Sequence, residues 1–430
     1  MKSILEEELK KLECHFTWDL EKEDADLNFL EVKYTESLAV QSQYGQDFKQ
    51  TILNFLAYIK HLQGLNDKAL EYLEKAKNDL NVIVTYGNLA WLQHLMCNDE
   101  VAKFYLEKLT ETVPNPEEAL SIREVQSEKA WSLLWFSKKH YSRAKDVFQE
   151  AIEKEPEDKE WNTGYAFSLF HVEGLEIRED KRVPFEVSSA VSQLKKALKL
   201  DPDNALIHVY LGLKSYKNKR NAEAWEHMRK ALRLAPYDLN VVLYVAKFMK
   251  KEECYDMALS MLKKMLEKAP DSSRLHHELA NNYRWKAKQL GDIHNPQLLR
   301  LCIHHSEEGA RLNPDYLYPQ MELANRYAEI KNCAKAEQKF QELFARPNMK
   351  PADLQAWHRL YGDFNMYRLG SEAKAVKHYK EGMTLQNIST EWRNCRNKLY
   401  KVLHNNRKDV YEIRTFMQSF RRKHYLLDTE

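Results

Sequence analysis

The chain predicts an all-α fold: pairs of antiparallel helices stacked into a superhelix, broken into two or three blocks so that it can close on itself rather than run straight. A scarcity of turn-forming residues and an internal repeat of small residues predict it. With 11 Gly and 12 Pro, only 23 of 430 residues (5.3%) punctuate the chain, less than half of the roughly 12% usual in proteins. That is too few for the frequent turns of a sandwich or barrel. A hydrophobic share of 43%, with 23 Tyr, 16 Phe and 9 Trp, supplies a large core and argues against disorder.

The repeat is legible residue by residue. A small residue is followed twelve positions later by Ala, then by apolar positions and a Pro. It reads Ala90, Ala102, Leu106, Leu109, Pro114, and returns as Ser132, Ala144, Phe148, Ala151, Pro156. Gly212, Ala224, Met228, Ala231, Pro236 and Ala246, Ala258, Leu262, Met265, Pro270 follow, with looser copies around Ala57 and Ala324. The step is 34 residues from Ala190 to Ala224 and again to Ala258. This is the tetratricopeptide period, in which small residues let two helices approach and Pro ends the second. Extra residues around Glu176–Glu186 and Leu290–Leu299 must become longer helices or loops on one face. The expected segments are 1–125 (N-terminal helices and first repeats), 126–240 (central repeats), 241–386 (C-terminal repeats) and 387–430 (a basic helical segment).

Charge excludes little: 66 basic against 64 acidic residues leave +2, so no global field announces a nucleic-acid binder. The distribution says more. Residues 1–35 hold ten acids and five bases, and residues 391–430 hold ten bases and five acids. Six widely spaced cysteines without a C-x-x-C pair fit free thiols in a reducing compartment. The acidic start lacks a signal-peptide core and no apolar run approaches the ~20 residues of a membrane span. The expected location is the cytoplasm, with no membrane partner and no DNA.

Within each first helix, a second stripe beside the packing positions faces the concave side of such stacks, the usual binding surface. It carries Tyr216 and Lys217, then Lys247, Lys250 and Lys251, then His277, Asn281, Arg284 and Trp285. Bases interleaved with rings, with no acid among them, suit single-stranded RNA, since cations neutralise phosphate and bases stack on rings. An acidic peptide tail fits the same stripe. Catalysis finds no support: there is no P-loop, dinucleotide fingerprint or G-x-S-x-G elbow. His276-His277-Glu278-Leu279-Ala280-Asn281 lacks the second histidine of a zincin, and Cys302, His304 and His305 near His294 read as packing and surface. No catalytic residue, metal ligand or cofactor is expected.

The opening Leu12-Glu13-Cys14-His15-Phe16-Thr17-Trp18 resembles that of the interferon-induced proteins with tetratricopeptide repeats. So do Phe55-Leu56-Ala57-Tyr58-Ile59-Lys60-His61-Leu62, Thr85-Tyr86-Gly87-Asn88-Leu89-Ala90-Trp91, Asn162-Thr163-Gly164-Tyr165-Ala166, Ala246-Lys247-Phe248 and Leu275-His276-His277-Glu278, in the family's order, over roughly residues 4–390. The resemblance implies an all-helical clamp around a basic channel, an interferon-induced innate-immune effector that binds viral single-stranded RNA, in some members by its 5′ end, and blocks its translation. The alternative is a scaffold for protein partners, related chains included, as homo- or hetero-oligomers.

The resemblance also implies site residues. Glu31 and Thr35 match an acidic residue and a Thr of the family, Tyr141 a channel Tyr, and His276 and His277 its paired histidines, followed here by Glu278. Trp135 stands where 5′-end binders place a phosphate-gripping Lys, with Lys138 or Lys139 one turn on as a substitute. His171, after Phe170, stands where they place an Arg, and Met249-Lys250-Lys251 replaces Tyr-Arg-Arg. A triphosphate needs fixed cations at close range, and a neutral His lacks the Arg fork. The expectation is therefore end-independent or cap-directed binding rather than strict triphosphate capture.

Overall fold

The computed structural model describes residues 4–40, 48–77, 82–113, 122–175, 183–292, 295–347, 349–385, 390–404 and 410–425. Among these residues there is helix and no strand, and no helix is long and apolar enough to cross a membrane. They fall into two compact units, Met1–Pro270 and Asp271–Glu430.

The N-terminal unit runs through α1 (Ile4–Leu9), α2 (Leu27–Ala39), α3 (Lys49–Leu62), α4 (Asn66–Ala76), α5 (Ile83–Leu95), α6 (Asp99–Thr112) and α7 (Arg123–Phe136). It continues with α8 (Tyr141–Lys154), α9 (Lys159–Leu175), α10 (Ser189–Leu200), α11 (Ala205–Lys217), α12 (Asn221–Leu234), α13 (Leu239–Lys251) and α14 (Tyr255–Lys268). The pairs α3–α4, α5–α6, α11–α12 and α13–α14 pack antiparallel. Their approach depends on the small residues of the repeat: a Cβ on Gly164 of α9 would stand 2.2 Å from the ring of Phe148 on α8. Several turns between paired helices use a left-handed residue, glycine at Gly64 but Lys219 and Glu253 in later repeats, at a local backbone cost. The α9–α10 insertion lies partly at residues 176–182, outside the described residues, and ends in the short helical turn Phe185–Val187.

The Cys-His-Phe-Thr-Trp run plugs this unit's core. The His15 amide donates to Asn88 Oδ1 (3.1 Å), its Nδ1 meets Asn88 Nδ2 (3.1 Å) and its Nε2 meets Ser132 Oγ (2.9 Å). Cys14 sits where a Cβ on Gly87 would collide at 2.9 Å, and the Trp18 indole donates to Glu13 Oε2 (2.9 Å). Two of the segments that carry the family resemblance are therefore one packing contact. Beside them Glu128 is buried, accepting from Asn54 Nδ2 at 2.9 Å. The unit also turns back on itself: α2 packs against α13, and Asn240 Nδ2 donates to Ser37 Oγ at 3.3 Å.

The C-terminal unit contains α15 (Ser273–Gln289), α16 (Pro296–Leu312), α17 (Leu317–Glu329), α18 (Cys333–Phe344), α19 (Pro351–Tyr367), α20 (Glu372–Thr384), α21 (Thr390–His404) and α22 (Val410–Tyr425). The second insertion is taken up by lengthening α15 and α16 to 17 residues each. The basic end of the chain enters α21 and α22, whose Trp392, Cys395, Leu399 and Ile413 pack onto Ala375, Val376, Tyr379 and Met383. The side chains of Arg421, Arg422 and Lys423 lie outside the described residues, as does His294.

Candidate nucleic-acid interface

In the N-terminal unit, helices α8, α9, α11 and α13 present a run of rings. Tyr141 packs on His171 with centroids 4.7 Å apart, and His171 Nε2 lies 3.3 Å from the Tyr210 hydroxyl. Tyr210 packs on Phe167 (4.2 Å, stacked) and Phe170 (4.7 Å, edge-on), and meets Tyr244 at 6.1 Å. Tyr210 and Tyr244 are 34 residues apart, the same register in consecutive repeats.

Cations sit against Phe170 of this run and against further rings of the unit. Lys217 Nζ is 5.0 Å from the centre of Phe170, Lys251 Nζ 5.8 Å from that of Tyr216, and Lys33 Nζ 4.8 Å from that of Tyr34. Burial, then the positive charges of Lys33 and Lys217, push the pKa of His171 down to about 4. His171 is thus a neutral imidazole at pH 7 inside a positive field contributed by two different helices. Burial also raises the Tyr141 hydroxyl, with Tyr244 adding to the effect. Lys214, beneath Phe170, is committed to a buried ion pair with Glu173.

The other expected residues of this unit divide. Glu31 is held by Lys60 and by Gln63 Nε2 (2.9 Å), and Thr35 is exposed one turn further along α2. Lys138 is exposed, whereas Lys139 is paired with Glu21 (2.8 Å) and Asp24 (3.0 Å). Lys247 is exposed and Lys250 half-buried on α13. Trp135 is a core residue: its ring lies 4.9 Å from Tyr34, 5.8 Å from both Phe48 and Phe55, and 5.9 Å from Trp131.

His277, Asn281 and Arg284 belong to the C-terminal unit. Asn281 Nδ2 meets His277 Nε2 at 2.9 Å, and both line a small crevice of about 10 Å³, room for one water, beside Glu322 and Arg326. Arg284 grips Glu329 through Nε (3.0 Å) and Nη2 (2.9 Å). Arg326 spans Glu322 (2.7 Å) and Glu329 (2.8 Å). Burial opposes the charge of Glu322, but Arg326, with His277 and Arg284, more than offsets this and holds its pKa below the usual carboxylate range. The acids come from α17, one repeat on, so a stripe read along α15 alone shows only the bases.

Sequence reasoning missed Lys33, Tyr210 and Tyr244. The two tyrosines were findable from their 34-residue spacing, one position off the chosen stripe. Lys33 was not, because α2 precedes the recognisable repeats.

The fold and its register define a tetratricopeptide-repeat protein, and residues 186–238 match the family model described as Tetratricopeptide repeat. The chain is 32% identical over 425 residues to the human Protein IFIT1 homolog B, covering 93% of this chain and 88% of the relative. It is 30% identical over 426 residues to the human Interferon-induced protein with tetratricopeptide repeats 2, covering 93% and 88%. It belongs to the family of interferon-induced proteins with tetratricopeptide repeats. Among solved structures it is similar to a human IFIT1 dimer with PPP-AAAA (TM-score 0.69, 30% identity, covering 93% of this chain and 91% of that one). The same dimer with m7Gppp-AAAA matches with TM-score 0.69 and 29% identity, covering 94% and 92%.

Proposed function

We propose that this chain is a cytoplasmic antiviral effector that binds single-stranded RNA through its N-terminal unit and restricts translation of the RNA it holds. One arrangement carries the reading: Lys217 of α11 lies 5.0 Å from the Phe170 ring within the run Tyr141, His171, Phe170 and Tyr210, where the charge of Lys33 of α2 also reaches His171. A cation seated on a ring still attracts phosphate, and the rings offer faces for bases. The similarity to IFIT1 bound to PPP-AAAA and to m7Gppp-AAAA supports an RNA 5′ end as the ligand.

The residues favour a cap or an unselected end over a triphosphate. Trp135 is packed among rings and brings no charge, and neutral His171 offers no bidentate fork. The test is fluorescence anisotropy with one RNA carrying triphosphate, cap, monophosphate or hydroxyl ends across a salt series. Affinity should fall steeply with salt, with the triphosphate no tighter than the cap. Tenfold or greater preference for triphosphate would refute the end assignment, and salt-independent or absent binding would refute RNA recognition itself. An in vitro translation reaction with the bound RNA as template checks restriction, and microscopy of the tagged protein checks location.

A further inference from the structure

Histidine pairs recur at one register of the repeats. His208 on α11 faces His227 on α12 with Nδ1 atoms 2.9 Å apart, His276 on α15 faces His305 on α16 at 3.0 Å, and His358 on α19 faces His378 on α20 at 3.2 Å. In each pair the first histidine lies four residues before a small residue of the repeat (Gly212, Ala280, Gly362). The second lies three after its partner (Ala224, Cys302, Ala375).

The side chain three residues beyond the second histidine differs between them. It is Lys230 in the first pair, a cation. It is Glu308 in the second, already bound to Arg311 at 2.8 Å. In the third it is Glu381, whose Oε2 lies 3.4 Å from His358 Nδ1 and 3.1 Å from His378 Nδ1. Among the described residues this is the group of three ligand-type atoms close enough to hold a metal ion.

The triangle has the size of a coordination face. Four-coordinate zinc with bonds of about 2.0–2.1 Å sets neighbouring ligand atoms about 3.3–3.4 Å apart; the three edges here are 3.2, 3.4 and 3.1 Å. A proton can bridge two of these atoms, whereas a metal ion satisfies all three lone pairs at once. The surroundings hold the ligands in place. Trp357 (5.6 Å) and Tyr361 (4.8 Å) meet the His378 ring edge-on, and the Tyr361 hydroxyl donates to Glu337 (2.6 Å), whose charge also acts on His378. Lys377 approaches the other Glu381 oxygen only at 3.9 Å. Two imidazoles and one carboxylate form a donor set suited to zinc, and the half-exposed Glu381 leaves an entry path.

We propose that His358, His378 and Glu381 form a zinc(II) site that pins α19 to α20, with the fourth position open to water. The test is calorimetric titration of zinc(II) into the metal-stripped full chain, beside Glu381→Gln and His378→Asn, with helicity checked by circular dichroism. The expected result is one zinc per chain, with affinity falling by more than about tenfold in each variant. Glu381 is partly exposed, so Glu381→Gln should keep its fold. Cobalt(II) should give the intense visible absorption of a four-coordinate site in the parent and lose it in Glu381→Gln. Equal zinc affinity in parent and Glu381→Gln, or no stoichiometric binding by the parent, would overturn the proposal.

Discussion

Both units pair cations with carboxylates, as Lys60 with Glu31 and Lys214 with Glu173 in the N-terminal unit, but the charges lining their basic stripes have different neighbours. In the N-terminal unit Lys33, Lys217 and Lys251 rest on rings, and the buried carboxyl of Glu128 has an amide and a histidine for neighbours. Burial drives its pKa up to about 8, against a smaller opposing effect of Asn54, so it is protonated at neutral pH. In the C-terminal unit Arg284, Arg326 and Arg359 rest on Glu329, Glu322 and Glu391, and Glu322 stays ionised. A cation on a ring keeps most of its field for an incoming phosphate, whereas a cation on a carboxylate is cancelled at short range. The difference teaches where a polyanion is welcome: counting lysines and arginines along a stripe measures charge, and only their partners show whether it is available.

The sharpest break of this comparison is charge reversal. Lys33→Glu with Lys217→Glu should weaken single-stranded RNA binding on the order of a hundredfold, about 3 kcal/mol, and lower the salt slope by about two. Arg284→Gln with Glu329→Gln should leave that affinity nearly unchanged, because the two paired side chains carry no net charge. Anisotropy at several salt concentrations reads both, and a larger loss from the Arg284/Glu329 double variant would invert the assignment of RNA to the N-terminal unit.

Next comes stability. Glu322→Gln should cost the chain about 2 kcal/mol at pH 7, since Arg326 is buried and would keep only Glu329 as partner. Thermal unfolding checks it. The pH dependence carries a sign. The folded-state pKa of Glu322 is depressed, so its contribution is present above the unfolded pKa of about 4.3 and is lost as pH falls through the folded value.

Glu128 has the opposite sign. Its folded-state pKa, about 8, lies above the unfolded value, so the folded state holds a proton that the unfolded chain releases. Its contribution is full below about 4.3 and fades as pH rises toward 8. Glu128→Gln, a permanently neutral mimic, should therefore gain on the order of 4 kcal/mol relative to the parent at pH 8.5 and only about 1 kcal/mol at pH 5. His15, pushed down to about 3 by burial against the raising effect of Asn88, destabilises the fold as pH drops below its unfolded pKa of about 6.5 and does not mask the alkaline effect. An unchanged difference between the two proteins from pH 5 to 8.5 would show that Glu128 is ionised in the fold.

Much of this architecture was legible because its cause is local. The 34-residue step follows from small residues where helices touch, such as Gly164 against Phe148, and one sequence displays it. The Cys-His-Phe-Thr-Trp opening was legible as a family mark but not as a plug, since its partners Asn88 and Ser132 are 73 and 117 residues away. The proposed site was legible only in part. Tyr141, Lys217 and His171 were singled out and lie together, while the cation that joins them, Lys33, comes from a helix outside the repeat. The neutralisation of Arg284 was hidden for the same reason, since Glu329 is 45 residues on. The chemistry of a cation depends on its cross-helix neighbour, which a stripe along one helix does not contain.

That dependence makes position 171 the finest probe of the comparison. Lys33 and Lys217 already oppose a proton on its imidazole, so His171→Arg forces a third charge among them, at a cost when no ligand is present. A triphosphate brings three to four negative charges and two-point acceptors for the guanidinium fork. The variant should bind triphosphate RNA about fivefold to tenfold more tightly than the parent, since a hydrogen bond to a charged group is worth roughly 1.5–3 kcal/mol and part of that offsets the repulsion. Binding of hydroxyl-ended RNA should change by less than about twofold, because a chain without an end charge cannot use the fork. The same anisotropy assay separates the two ends. A uniform gain across all ends would mean that residue 171 meets the RNA backbone rather than its 5′ terminus.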